Sequence, residues 1–146
     1  MHDTRLDVLA ADQLGWAVHP HAQEAEGGTF NPLKFQLLDP RALTFYREWE
    51  LSTNNAVALL RAAAGRDPGD EGIIQLVGEL STHSERFRQL RACSHNVLRS
   101  REGVKRYRHP LVGEIDFDFA SFDVSGEPGL RGQAFDTTTH HQSRWE

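Results

Sequence analysis

The side chains that could bind a metal in this sequence are histidines, and they do not stand at the spacing of a metal site. His19 and His21 flank Pro20, which predicts an extended turn, and no third ligand follows at a recognisable spacing. His140 and His141 lie in a polar C-terminal stretch. Because a zinc site needs three or four converging ligands, we interpret these histidines as loop residues and expect neither a metal nor a cofactor.

The residues that could act as nucleophiles are equally isolated. Ser94 is followed by His95, but no G-x-S-x-G turn precedes the serine. Cys93 is the only cysteine of the chain and has no identifiable base. Since one cysteine cannot form an internal disulfide, it also indicates a reducing compartment. The sequence favours a protein that is not an enzyme, and a small enzyme on a related sheet-and-helix scaffold is the alternative.

A basic run, KRYRH at residues 105–109, allows two interpretations. It could bind phosphates, with Tyr107 as a stacking platform for a nucleobase. Alternatively, it is a strand with Lys105 and Tyr107 on one face, and Asp116 and Asp118 pair with the cations across a hairpin. We favour the strand, because the chain has a net charge of −5 and a pI of about 5.9, which does not suit a nucleic-acid binder.

Aromatic residues recur through the chain and allow a further pair of interpretations. They either line a ligand cavity or fill an ordinary core, and periodicity alone does not separate the two. The set consists of Phe35, Phe45, Tyr46, Trp49, Phe87, Tyr107, Phe117 and Phe119.

The length of 146 residues corresponds to one domain, large enough to bury roughly 68–70% of its unfolded surface. No run approaches 18 apolar residues, and the N-terminus lacks the apolar core of a signal peptide. We therefore expect a soluble, cytoplasmic protein without a membrane partner.

The middle of the chain is predicted to be helical. Asn31-Pro32 and Asp39-Pro40 each combine an N-cap with a proline at the first helical position. After the second, a buried helical stripe at positions i, i+3, i+4 and i+7 is predicted from Ala42, Phe45, Tyr46 and Trp49. Three further helices are predicted: residues 53–64, ended by Gly65; a segment capped by Asp70; and a segment capped by Ser84.

Strands are predicted at both ends of the chain. The first covers Leu6 to Ala10, and the others cover residues 103–109, 113–124 and 130–137. From residue 114 the alternation of apolar and acidic side chains is typical of an antiparallel sheet with one covered side. The apolar phase changes after Phe119, which predicts a bulge near residues 120–121. This order of elements favours an α+β domain with helices packed on one face of the sheet.

Six segments resemble a known family in their order and spacing: LDVLAAD, LLDPRALTFYREWE, AVALLRAAAGRDPGD, LVGELSTHSERFRQL, HNV and VKRYRHPLVGEIDFDF. The resemblance covers roughly residues 5–137 and is to the ligand-binding domain of MmyB-like transcription regulators, bacterial and often actinobacterial proteins with an N-terminal helix-turn-helix. It implies a PAS-like fold, an antiparallel sheet with a helical insertion packed on one face. It also implies a hydrophobic pocket between helices and sheet, with the hairpin at His109-Pro110 in its floor, for a small apolar or fatty-acid-like molecule.

The resemblance predicts a sensor domain over residues 1–137 and a polar tail over 138–146. We expect the helix-turn-helix to be absent from this chain, so that DNA is a partner only through that domain. Ligand occupancy would shift a conformational or homodimer equilibrium. Aromatic residues, two helical cations and two histidines at matched family positions give the candidate ligand-binding residues: Phe35, Tyr46, Trp49, Arg61, Phe87, Arg91, His95, Tyr107, His109 and Phe117.

The sequence departs from the family pattern at three places. Arg91 stands where tryptophan is usual, Gly132 stands where an apolar residue is usual, and TTTHHQSRWE replaces a short apolar closing helix. Arg91 follows Phe87 by four residues on the same side of a helix. Its guanidinium group reaches water, stacks on an aromatic ring or pairs with an anion; the sharper alternative is that it offers a cation to a ligand carboxylate.

Overall fold

A computed structural model describes residues 1, 3, 5–24, 29–92, 102–126 and 129–137. Within these ranges the elements are, in chain order, α1 (Gln13–Val18), a 3₁₀ helix (Pro20–Glu24), α2 (Pro32–Leu38), α3 (Ala42–Phe45), α4 (Trp49–Arg66), α5 (Glu71–His83), α6 (Glu85–Ala92), β1 (Glu102–His109), β2 (Gly113–Asp123) and β3 (Arg131–Thr137). The described strands form one antiparallel sheet in the order β1-β2-β3. The predicted α+β class is therefore confirmed, and the finer PAS-like assignment stays a prediction.

Side-chain caps start three helices where the sequence predicts them. The Asn31 Oδ1 atom accepts a hydrogen bond from the backbone N–H of Lys34 at 3.0 Å. Asp70 and Ser84 accept equivalent bonds from the first turns of α5 and α6 at 3.1 and 3.0 Å. Each cap satisfies a backbone donor that the first turn of a helix otherwise leaves without a partner.

The single helical stripe predicted over residues 42–49 is wrong, because the helix is interrupted. Helix α3 stops before Tyr46, which is extended (φ −89°, ψ 111°) and forms an antiparallel bridge with Tyr107. The pairing continues, since the Arg47 N–H donates to the backbone oxygen of Arg106 at 3.2 Å. The chain runs briefly along the edge of β1 before α4 begins, and this tertiary pairing overrides the local helical pattern.

The strand predicted for residues 6–10 is also wrong. Leu6 has a φ of 71°, which turns the chain out of extended backbone, and in the described part of this segment Val8 alone forms a bridge, with Phe30. The next segment, which the sequence left without an element, holds α1 and the 3₁₀ helix. Pro20 starts that 3₁₀ helix, so the extended turn predicted there is wrong as well.

The three C-terminal strands agree with the predicted bounds to within one residue. The predicted bulge, however, is wrong for the described strands. Pairing between β2 and β3 is continuous, from Phe117 opposite Thr137 to Asp123 opposite Arg131. Phe122 therefore keeps its place in the alternation and lies half exposed on the face away from Phe117.

Two groups of buried side chains form the interior. The helical core joins α2, α4, α5 and α6 through Leu33, Val57, Leu60, Ala63, Ile73, Leu76, Leu80 and Phe87. The aromatic core joins the N-terminal helices to the sheet through Ala22, Phe30, Phe35, Ala42, Phe45, Tyr46 and Tyr107. Ile115 and Phe117 of β2 pack against the aromatic core, so these helices cover one face of the sheet, which we call the inner face. None of the described helices is both long and apolar enough to span a membrane.

Candidate functional site

The outer face of the sheet holds charges of the basic run. Arg106 lies opposite Asp116, with 3.7 Å between a guanidinium nitrogen and a carboxylate oxygen. Asp118 lies opposite Val104 rather than opposite a cation. Tyr107 points inward and is only 2% exposed, so it offers no platform for a nucleobase. The interpretation of this run as a strand is confirmed.

A row of aromatic rings crosses the inner face from the helices toward β3. Phe45 stacks on Tyr107 with ring centroids 4.9 Å apart. Tyr107 then contacts Phe117 at 6.1 Å, and Phe117 contacts Phe135 at 6.0 Å. The first two rings are buried and the last two are partly exposed. Burial therefore decreases along this aromatic row, from the helices to the far strand.

Two histidines belong to the aromatic core, although the sequence suggested ordinary loop residues. The His19 ring lies 5.5 Å from that of Tyr107, and His21 stacks on Phe35 at 4.6 Å. Burial lowers the pKa of His19 to about 3, and the nearby positive charge of Lys105 acts in the same direction. In the described part of the chain, no group of three or more potential ligands is arranged to hold a metal.

The inner face also carries a cation, Lys105, which sequence reasoning did not select. Its Nζ atom lies 5.0 Å from the ring centroid of Phe119 and 5.4 Å from that of Phe135. It donates a hydrogen bond to Gln133 Oε1 at 3.1 Å. Burial lowers the pKa of Lys105 to about 8. The signal was available, because the alternation of β1 puts Lys105 on the same face as Tyr107.

Polar groups are buried where α2 meets α4. The Trp49 indole N–H donates to the backbone oxygen of Gln36 at 2.7 Å. Burial raises the pKa of the Tyr46 hydroxyl to about 12, and its contact with the Gln36 side chain acts weakly in the opposite direction. Tyr46 therefore stays neutral and keeps a hydrogen-bond donor inside the aromatic core.

His109 fixes the hairpin between β1 and β2. Its Nδ1 atom accepts a hydrogen bond from the N–H of Leu111 at 3.1 Å, and its Nε2 atom lies 2.8 Å from the backbone oxygen of Ala17. The neutral tautomer with a proton on Nε2 satisfies both contacts. Gly113, with a φ of 78°, reverses the chain into β2. The interruption at His109-Pro110 thus ties the end of the sheet to α1.

Five of the ten predicted ligand-binding residues come together in or against the aromatic core: Phe35, Tyr46, Trp49, Tyr107 and Phe117. Phe87 lies in the helical core instead. Arg61 and Arg91 are exposed on α4 and α6, and His95 lies outside the described residues. The structure therefore groups five of the six predicted aromatic residues and separates them from the two predicted helical cations.

Two clefts border these groups. One, of about 500 Å³, lies beside the start of α2 and is lined by residues between 21 and 41, Phe35 among them. The other, of about 670 Å³, lies along the sheet and is lined by all three strands, including Phe119 and Phe135. The second cleft therefore borders the two rings that Lys105 contacts.

A comparison with known protein families gives a match over nearly the whole chain. Residues 1–144 match the family model described as MmyB-like transcription regulator ligand binding domain. No curated protein and no solved structure gives a significant match.

Proposed function

This chain belongs to the family of MmyB-like transcription regulator ligand binding domains, and we propose that its ligand is a small hydrophobic, fatty-acid-like molecule. The molecule would lie between the helices and the inner face of the sheet. The domain acts by binding rather than by catalysis, and it works in the cytoplasm, where transcription takes place.

The aromatic row is the observation that carries this proposal. Its rings offer an apolar surface that passes from fully buried at Tyr107 to partly exposed at Phe117 and Phe135. A hydrocarbon tail laid on such a surface gains about 0.8 kcal/mol for each buried CH₂. Eight methylenes therefore supply roughly 6 kcal/mol, which offsets a typical cost of association.

The proposed contacts are the five predicted residues of the aromatic core: Phe35, Tyr46, Trp49, Tyr107 and Phe117. Tyr46 and Tyr107 add neutral hydroxyls to a largely apolar wall. A site with apolar walls and few polar groups suits a sensor, whereas an enzyme needs several titratable groups that converge on one point.

The regulatory step would be a population shift. A ligand that binds one conformation or one oligomeric state of the domain more tightly moves the equilibrium toward that state. A tenfold preference for one state changes the population ratio tenfold at saturation. In a regulator of this kind, a helix-turn-helix domain reads the shift, and DNA is contacted only by that domain.

Native mass spectrometry of the purified protein tests the proposal directly, because a co-purified lipid adds a discrete mass. In solution, a dansyl-labelled undecanoic acid should bind saturably and be displaced by dodecanoic acid. Butanoic acid is the control, since its short tail buries too little surface. Equal displacement by both acids would contradict the proposal.

A pair of phenylalanine variants on one strand locates the site. Phe117→Ala removes a ring from the inner face and should raise the dissociation constant of dodecanoic acid roughly tenfold, the equivalent of about 1.4 kcal/mol. Phe122→Ala is the matched control, because Phe122 lies on the outer face of the same strand. Its effect on binding should stay below about twofold.

A further inference from the structure

We propose that Lys105 anchors the anionic end of the ligand, so that the domain selects an apolar carboxylic acid over neutral molecules of the same length. This inference rests on the function proposed above, because it names the head group for the same site. The ammonium group would hold the carboxylate, and the tail would lie along the partly exposed rings of Phe117 and Phe135.

The position of the ammonium group is the first argument. β1 turns Lys105 inward, directly opposite Phe117 in the β1–β2 pairing. The Nζ atom stands over two rings, Phe119 and Phe135, at 5.0 and 5.4 Å from their centroids. A cation is thereby held at the end of the aromatic row, where an acid with its tail on that row would place its head group.

The charge around Lys105 is the second argument. In the part of the chain that the structure describes, its contacts are the neutral oxygen of Gln133 and the two aromatic faces. The acidic side chains of β2 that lie across from β1 are on the outer face, as the pairing of Asp116 with Arg106 shows, and Asp123 at the far end of β2 pairs with Arg131 instead. An ammonium group has three donors, and one of them is used by Gln133. A carboxylate arriving on the inner face would therefore meet a charge without an acidic partner there.

Ser121 holds the side chain of Gln133 in the orientation that Lys105 needs. The Gln133 side-chain N–H donates to the Ser121 hydroxyl at 3.3 Å, which directs its Oε1 atom toward Lys105. This contact and the two rings hold the ammonium group in one place before any ligand arrives. A pre-positioned charge loses little conformational entropy on binding, so the site favours one head-group position.

The contrast with Arg91 separates this inference from the cation that the sequence suggested. Arg91 is exposed near the end of α6, where a guanidinium group remains in water. A charge in water gains little from a new partner. The Lys105 ammonium group lies against the rings of Phe119 and Phe135, and a new ionic hydrogen bond is stronger in such a low-dielectric place.

The test compares dodecanoic acid with dodecanol, which has the same tail and no charge, on the intact chain at pH 7. The wild-type protein should bind the acid at least about tenfold more tightly, as one charged hydrogen bond allows. Lys105→Met should remove that preference by weakening the acid about tenfold while leaving dodecanol within about twofold. Lys105→Arg should keep the preference, and Arg91→Met is the matched control that should leave it unchanged.

The other outcomes are separable. If the wild-type protein binds neither molecule, the proposed function fails and the anchor fails with it. If both bind but Lys105→Met keeps the preference for the acid, or if Arg91→Met loses it, the site stands and the assignment of Lys105 is overturned. If Lys105→Met does not show the circular dichroism of the folded protein, the acid preferences of Lys105→Arg and of the wild-type protein decide instead. A preference of less than about twofold in both of these proteins also overturns the anchor.

Discussion

The ring of Phe122 covers the backbone of Gly132 on the neighbouring strand. The two residues are directly opposite in the β2–β3 pairing, and a Cβ atom placed on Gly132 would meet three ring carbons at 3.0 Å or less. Glycine inside a strand leaves a gap in side-chain packing, and an aromatic residue across the ladder fills it. This contact explains why an apolar residue, Phe122, stands on the outer face of β2 without a bulge in the strand. It also explains why glycine stands at position 132, since the ring occupies the space of a side chain there.

We predict that Phe122 and Gly132 are energetically coupled. Phe122→Ala should lower the free energy of unfolding by about 1 kcal/mol, since it uncovers the glycine. In a Gly132→Val background the same change should cost less or become favourable, because valine supplies its own cross-strand packing and no longer meets the ring. Urea unfolding of all four proteins measures the coupling. Strictly additive effects would show that the ring and the glycine act independently.

The side chain of Asn31 does more than cap a helix. Besides accepting from Lys34, it donates to the backbone oxygen of Arg5 at 2.7 Å and to the Asp7 carboxylate at 2.9 Å. We predict that Asn31→Ala lowers the free energy of unfolding by about 2–3 kcal/mol, because a cap and two further bonds are lost. Asp70→Ala, which removes a cap, is the control and should cost about 1 kcal/mol in the same denaturant titration. Equal losses would mean that the bonds to the N-terminal segment contribute nothing.

Arg47 joins the turn before α4 to the outer face of the sheet. It forms an ion pair with Asp116 and a second with Glu114 at 3.2 Å, and both Arg47 and Asp116 are mostly buried. We predict that Arg47→Met lowers the free energy of unfolding by about 2 kcal/mol, since a charged acceptor loses its donor. Arg86→Met, which breaks the exposed pair with Glu50, should cost less than about 1 kcal/mol. If Arg47→Met and Arg86→Met lowered the free energy of unfolding by similar amounts, at low and at high salt alike, the difference in burial between the two ion pairs would have no effect on stability.

Much of the fold follows from local sequence signals. Caps at Asn31, Asp70 and Ser84 start helices as predicted, because each side chain bonds to its own first turn. The strand bounds follow from alternation, which depends on one covered face. The interruption at Tyr46 could not be predicted in this way, because the residue is fixed by β1, about sixty positions away in the chain. Contacts at such separation override an apolar spacing that is locally ideal for a helix.

The candidate site was predictable in its apolar part and not in its charged part. Aromatic residues group because burial drives them together, so Tyr46, Tyr107 and Phe117 meet as expected. The helical cations were selected for their apolar neighbours in sequence, but Arg91 lies on the exposed side of α6. Lys105 was not selected as a ligand contact, although strict alternation separates it from Arg106 and puts it on the face of Tyr107. The face of the strand decides the environment of each cation.

His19 should make the protein sensitive to acid. Burial lowers its pKa in the folded state to about 3, whereas an unfolded chain titrates it near 6.5. Between these values the unfolded state binds more protons, so stability falls as the pH drops from about 6.5 toward 3. His19→Phe should remove part of this loss, seen as a stability gain over wild type that grows from pH 7 to pH 4 in urea titrations. His83→Phe, at the exposed end of α5, is the control, and a constant difference for His19→Phe would refute the burial effect.

The affinity for an apolar acid should fall as the pH rises through the pKa of Lys105. That pKa is lowered by burial to about 8 in the free protein, and a bound carboxylate would raise it, so binding takes up a proton above pH 8. The dissociation constant of dodecanoic acid should therefore increase between pH 7.5 and pH 9.5, by no more than the roughly tenfold that the charged contact contributes. Of the titratable groups in and beside the aromatic core, burial keeps His19 and Tyr46 neutral in this range, and it raises the pKa of Tyr107 well above its ordinary value. Dodecanol binding should stay constant over the same range, and isothermal titration in two buffers of different ionisation enthalpy would detect the proton that only the acid takes up. A flat profile for the acid, or the same slope in Lys105→Met, would mean that the charge it meets belongs to another residue.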